Sequence, residues 1–197
     1  MADYNVHIAP SDPMIGDAYY STLSTASATE GRDITAAGSD ENVYFWMHTF
    51  SGGLTDDTAM NDGWTTDATH RITIAAYTGH EPTWFDDGTF FGGFYFGPSG
   101  NSTIRPVTAV SHLDLVDLEF DRNGDTDEAI STANGGLVGG SITRLIVHDA
   151  GGDAFPWNDS GYIGFPIDGL VIVNPPYEAA QGRVCGPARP LRHLRTG

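Results

Sequence analysis

The chain has 197 residues, the size of one domain, of which 40% are hydrophobic, 25 are Gly and 11 are Pro. It is too apolar for a disordered protein and too rich in turn residues for a helical bundle, so it favours many short strands. The formal net charge of −17 excludes nucleic acid as a partner, because phosphate binding needs a basic surface.

Residues 1–42 predict one helix, from about Tyr20 to Arg32, with Ser21 or Ser24 as its N-cap and Gly31 as its end. We expect this helix to cover the open first coil of a stacked fold. The start of the chain lacks the basic and apolar regions of a secretory signal, and no later run approaches the ~18 apolar residues that span a bilayer. The sequence therefore predicts no membrane insertion.

From residue 42 onward, short apolar runs alternate with turn residues at a regular spacing. The runs cover residues 43–47, 71–77, 93–97, 112–120, 142–149 and 167–174. Marker residues in these runs are 27, 23, 23, 27 and 25 positions apart; they are Phe45, Ile72, Tyr95, Leu118, Leu145 and Leu170. This period is typical of one coil of a solenoid.

The last three runs can be superposed, which predicts the contacts between neighbouring coils. Each coil of a parallel stack lies ~4.8 Å above the one before it, so inward positions are apolar in every coil. The superposition predicts two inward ladders: Leu118, Leu145 and Leu170, and then Phe120, Val147 and Ile172. A β-sandwich is the competing fold, but its hairpins would place strands 8 to 12 residues apart.

The sequence also resembles a known superfamily. The segment 20–74, with YSTLSTA, RDITA and DGWTTDATHRITI, resembles the N-terminal region of pectate-lyase-like proteins, including phage-associated and metagenomic members. The later runs ITRLIVHDAGGDAF and IDGLVIVN are similar to ordinary coils of that fold. The resemblance implies an all-β, right-handed parallel β-helix with a short N-terminal capping helix. It also implies an extracellular or virion-associated location.

This interpretation divides the chain into three predicted segments. Residues 1–42 form a cap segment, residues 43–178 form the coils, and residues 179–197 form a flexible tail with four of the nine Arg residues. The last coil would expose apolar side chains and unpaired strand groups if nothing covered it. We therefore expect a homo-oligomer, a dimer or a trimer.

Charged residues at outward positions of the superposed runs form the candidate catalytic site: Asp117, Glu119, Asp121, Arg144 and His148. Outward neighbours on such strands lie ~5 to 7 Å apart, which suits the paired carboxylates of a glycosidase. The resemblance implies a lyase as an alternative, with Arg144 as the base. The same charges are also typical of a solvated strand face, where an Asp117–Arg144 ion pair contributes little.

The loop DRNGDTDE supplies oxygen ligands suited to Ca²⁺, which is the only cofactor predicted; the ligands are Asp121, Asn123, Asp125 and Asp127. It is not an EF-hand, because Gly124 stands at the fourth position rather than the sixth. An acidic turn without an ion is the alternative. The scattered His48, His70, His80 and His112 show no zinc-site spacing.

Seven aromatic residues lie within residues 84–96, which we call the aromatic segment. That is too many for the interior of one coil, so some must be exposed or buried against a partner. Candidate glycan-binding residues are Trp84, Phe85, Tyr95 and Trp157. Core packing and loop anchoring are the alternative.

Three interpretations follow from these features: a catalytic one, a binding one, and a purely structural solenoid fragment with neither activity. The first is a carbohydrate-active β-helix that cleaves an extracellular polysaccharide by carboxylate acid/base chemistry, as a glycoside hydrolase or a lyase. The second is a non-catalytic virion or surface module that binds glycans.

Overall fold

The computed structural model describes residues 1–56, 58–60, 63–98, 103–106, 110–123, 129–130, 139–149 and 166–173. The strands in these ranges are β1 (Ala2–Ile8), β2 (Ala18–Tyr20), β3 (Glu41–Met47), β4 (Thr58–Met60), β5 (Ile72–Ala76), β6 (Ile104–Pro106), β7 (Leu113–Asp121), β8 (Ser141–His148) and β9 (Ile167–Val173). The helices are α1 (Leu23–Glu30) and α2 (Trp84–Asp87). Neither of these two described helices has the length and apolar character to span a bilayer. The protein is β-rich, as its composition predicts.

Seven strands form one parallel sheet in the order β2-β1-β3-β5-β7-β8-β9. Apart from β2, the neighbours follow chain order, and β4 and β6 form a second, two-stranded parallel sheet. A sandwich of hairpins needs antiparallel neighbours. Every pairing among the described strands is parallel, so that alternative does not describe this sheet.

Alternating side chains explain why these runs form strands with one buried face. In β3, Val43, Phe45 and Met47 are buried, whereas the residues between them are half-buried. This period of two places the apolar residues of every strand on the same side of the sheet. Burial of each such side chain contributes ~1.5 to 3 kcal/mol to folding, which is enough to specify the register.

The predicted pairing of the last three apolar runs is confirmed. Leu118 pairs with Leu145, and Leu145 pairs with Leu170, in parallel register. The second ladder, of Phe120, Val147 and Ile172, pairs in the same way. Leu170 and Ile172 are only partly buried, whereas we expected both to be buried; β9 is the last strand of the sheet among the described residues.

The predicted position of Tyr95 in the repeat is wrong. β5 pairs directly with β7, so that Ile72 lies opposite Leu113 and no strand lies between them. Phe96 instead forms parallel bridges with Leu54 and Phe120. The chain therefore leaves the sheet after β5 and returns at Phe96. We call the intervening residues 77–95 the excursion.

Helix α1 lies inside the predicted span but is shorter, and its N-cap is Thr22 rather than Ser21 or Ser24. Thr22 has an extended backbone, and its hydroxyl accepts a hydrogen bond from the Thr25 amide. The helix packs against β1, β2 and β4. The indole of Trp64 is almost fully buried and donates to the Ser27 carbonyl over 3.0 Å, which ties the helix to the core.

The segment 1–42 contains more than the expected cap. It includes β1 and β2, and β1 pairs with β3 along its whole length. The sheet therefore begins near residue 2, and α1 lies on a connection between strands of that sheet. The predicted flexible tail, residues 179–197, lies outside the described residues.

Candidate functional site

A left-handed backbone position repeats in the last three strands and forms a corner in the sheet. Asp117, Arg144 and Gly169 have φ values of 54°, 54° and 79°, and they occupy equivalent register positions. Such a residue interrupts the strict alternation, so that Leu115 and Leu118 are both buried although they are three positions apart. At this corner the side chains of Asp117 and Arg144 are 20% and 40% exposed.

Asp117 and Arg144 form an ion pair at this corner, with Arg144 Nε 2.8 Å from Asp117 Oδ1. The guanidinium lies 5.4 Å from the centre of the Phe85 ring, a cation–π arrangement. Burial raises the pKa of Asp117, and the nearby Arg144 charge only partly opposes this effect. A carboxyl group with a raised pKa is suited to general-acid chemistry.

Glu119 was expected on an exposed outer face, and that expectation is wrong. Its side chain is fully buried, because the excursion after β5 folds over the outer face of β7 and β8. The Phe91 amide donates to Glu119 Oε1 over 3.1 Å. The Phe90 and Phe91 rings lie 4.7 and 4.9 Å from the imidazole of His148. A substrate cannot reach Glu119 in this arrangement.

His148 is held between carboxylates on both sides of its ring. Its Nε2 lies 3.0 Å from Glu119 Oε1, and its Nδ1 lies 3.1 Å from Asp149 Oδ2 and 3.9 Å from Asp121 Oδ1. Burial lowers the pKa of His148, but the hydrogen bonds to Glu119 and Asp149 outweigh burial and raise the pKa above its ordinary value. The predicted cross-strand pairing of Asp121 with His148 is confirmed.

The aromatic segment divides into three groups with different environments. Phe94 and Phe96 are core residues, and Phe96 stacks on Phe120 at 4.9 Å. Phe90 and Phe91 cover His148, although 47% of Phe91 remains exposed. The half-buried aromatic residues among the predicted glycan ligands are Trp84, Phe85 and Tyr95. Trp157 lies outside the described residues.

A glycine pair lets the excursion fold back so closely. A Cβ atom at Gly93 would collide with the backbone carbonyl of Glu81, and one at Gly92 would collide with the Thr83 side chain. The Phe94 amide donates to the His80 carbonyl over 2.6 Å, which closes the excursion at its base. The chain therefore folds back on itself between residues 80 and 94, just before Phe96 contacts the sheet.

Two of the four predicted calcium ligands are described. Asp121 Oδ1 accepts a hydrogen bond from the Asn123 amide over 3.0 Å, a local turn that needs no ion. Asp125 and Asp127 lie outside the described residues. Calcium binding by this loop therefore stays a prediction.

A histidine cluster on the outer face of β1, β3 and β5 was not predicted. His7 Nδ1 lies 2.8 Å from His48 Nε2, and the ring of His48 lies 4.8 Å from that of His80 and stacks on Tyr77 at 4.5 Å. Burial, together with the neighbouring His80 and His7, lowers the pKa of His48 to about 4. Aligning β1 with β3 in the sequence would have found the first two residues. His7 lies opposite Trp46, and His48 follows Trp46 by two positions, on the same face of the chain.

No protein-family model, curated protein or solved structure matches this chain.

Proposed function

We propose that this chain is a right-handed parallel β-helix of the pectate-lyase-like type that binds a glycan without cleaving it. The fold proposal is supported by parallel strands that follow chain order and by in-register apolar ladders. Parallel bridges join Leu54, Phe96 and Phe120, and another bridge joins Ile104 to Ile130, as expected of further sheets in stacked coils.

The proposed binding surface consists of Trp84, Phe85, Phe91, Asp117 and Arg144. The single observation that carries the proposal is the stack of Arg144 on Phe85 with Asp117 at the same corner. A sugar ring can rest its apolar face on a partly exposed aromatic ring while its hydroxyls bond to a neighbouring carboxylate and guanidinium. These chemical groups are adjacent on this surface.

The burial of Glu119 favours binding over cleavage. An acid/base pair must reach the glycosidic oxygen and a water molecule, whereas Glu119 is enclosed by Phe91 and His148. The net charge of −17 also favours a neutral glycan over a polyuronate, because like charges repel.

Affinity electrophoresis in gels containing neutral or acidic polysaccharides tests the binding proposal. We expect a neutral polysaccharide to retard the wild-type protein and the Trp84→Ala/Phe85→Ala double variant to bind at least tenfold more weakly. Tyr19→Ala is the matched control, because it removes a half-buried aromatic residue from β2. Equal losses in both variants, or no retardation by any polysaccharide, would refute the proposal.

Cleavage is a second candidate, because burial raises the pKa of Asp117. Asp117 would then be the general acid, with Asp121 as the base. An assay for reducing ends and for the absorbance of unsaturated uronates separates a hydrolase, a lyase and a binder. Activity that disappears in Asp117→Asn would replace the binding proposal with a catalytic one.

A further inference from the structure

We propose that His148, Asp121 and Asp149 form a binding site for a divalent first-row transition-metal ion such as Zn²⁺. The site differs from the predicted calcium loop, with which it shares only Asp121. It does not depend on glycan binding. One nitrogen and two carboxylate oxygens, from the end of β7 and the end of β8, are its ligands.

The distances between these ligand atoms suit one small ion. His148 Nδ1 lies 3.1 Å from Asp149 Oδ2 and 3.9 Å from Asp121 Oδ1, and the three residues can each place one ligand atom within 4.8 Å of the other two. Bonds of ~2.0 to 2.1 Å in a tetrahedral zinc site place neighbouring ligand atoms about 3.3 Å apart. The observed separations lie on both sides of that value, so small side-chain rotations suffice.

Glu119 provides an independent reason to assign the site. It lies outside the ligand set, is fully buried and contacts His148 Nε2 at 3.0 Å. When Nε2–H donates to Glu119, the lone pair of Nδ1 faces Asp149 and Asp121. A carboxylate behind a histidine in this way orients metal-binding imidazoles and makes them more basic.

The surroundings also suit an ion with an open coordination position. The Phe90 and Phe91 rings exclude water from one side of His148, whose side chain is only 2% exposed. The side chains of Asp149 and Asp121 are 47% and 20% exposed, which leaves a path from solvent. Imidazole with carboxylates favours transition metals over Ca²⁺, which prefers six to eight oxygen ligands.

Titration of the metal-free full chain with Co²⁺, followed by its visible absorption, tests the proposal without any activity assay. We expect one Co²⁺ ion to bind per chain and to show the d–d absorption of a low-coordinate ion with nitrogen and oxygen ligands. Zn²⁺ should displace it. Asp149→Asn and Asp121→Asn should each weaken binding at least tenfold. Glu119→Gln should weaken it 10- to 100-fold, as loss of an orienting carboxylate does elsewhere.

The controls separate this site from a neighbouring surface carboxylate and from a calcium site. Asp168→Asn removes an exposed acid from the neighbouring β9 and should leave Co²⁺ affinity unchanged. The exposed Asp149 makes its variant the safest to fold, and circular dichroism checks this. Unchanged affinity in a folded Asp149→Asn variant would overturn the assignment, as would displacement of Co²⁺ by an equimolar amount of Ca²⁺.

Discussion

Replacement of Leu145 by Ala should be among the most damaging single changes in this protein. Leu145 is fully buried and lies between Leu118 and Leu170 in the ladder of parallel strands. Removal of three carbon groups costs about 2.5 kcal/mol in transfer free energy, at ~0.8 kcal/mol per group. The hydrogen-bonded strands cannot move together to fill the resulting cavity. The total loss in the free energy of unfolding is therefore about 3 to 4 kcal/mol.

This loss is a large part of the ~5 to 15 kcal/mol that stabilises a typical domain. With a urea dependence of about 2 kcal/mol per molar, the unfolding midpoint should fall by about 1.5 to 2 M. Urea titration followed by far-UV circular dichroism and by tryptophan fluorescence measures the shift. Coincident transitions with the two probes would justify a two-state analysis.

Leu170→Ala is the matched control for this prediction. Leu170 belongs to the same ladder but is only partly buried in β9, the last strand of the sheet among the described residues, so its loss should cost about half as much. A cost below about 1 kcal/mol for Leu145→Ala, or equal costs for both variants, would refute the idea that this ladder organises the core.

Four further outcomes are expected. Gly169→Ala should destabilise the protein by about 1 to 2 kcal/mol, because alanine disfavours a φ of 79° and its Cβ would lie 3.3 Å from Arg144 Cα; an unchanged urea midpoint would contradict this. The folded-state pKa of His48, about 4, lies below its unfolded value of ~6.5. The neutral His48 side chain therefore contributes about 1 to 2 kcal/mol, after allowance for solvent screening, to the free energy of unfolding. This contribution is complete above pH 6.5 and is lost as the pH falls toward 4. His48→Gln should flatten stability over that range, and an identical pH profile would refute this role. If the predicted loop binds calcium, millimolar Ca²⁺ should raise the melting temperature and Asp125→Ala should abolish the rise. Light scattering at micromolar concentration should give a multiple of the 21.0 kDa chain mass, and a monomer would refute the expected homo-oligomer.

The candidate site was only partly predictable from the sequence. Superposing the runs correctly placed Asp121 opposite His148 and Asp117 beside Arg144, because their register follows from the apolar positions between them. The superposition could not show that Glu119 is buried. That burial depends on Phe91, which lies 28 residues earlier and belongs to an excursion without repeat periodicity.

The β-rich character, the inward apolar positions and the register of the last three strands could all be read from the amino-acid sequence. Each of these follows from a period of two and from the free energy of burying side chains in a repeated position. Two features became visible only in the folded chain: Phe96, rather than Tyr95, forms the parallel bridges with Leu54 and Phe120, and the rings of His7, His48 and His80 contact one another in series. Such contacts join segments far apart in the chain, and no local pattern encodes how an excursion folds across a neighbouring strand.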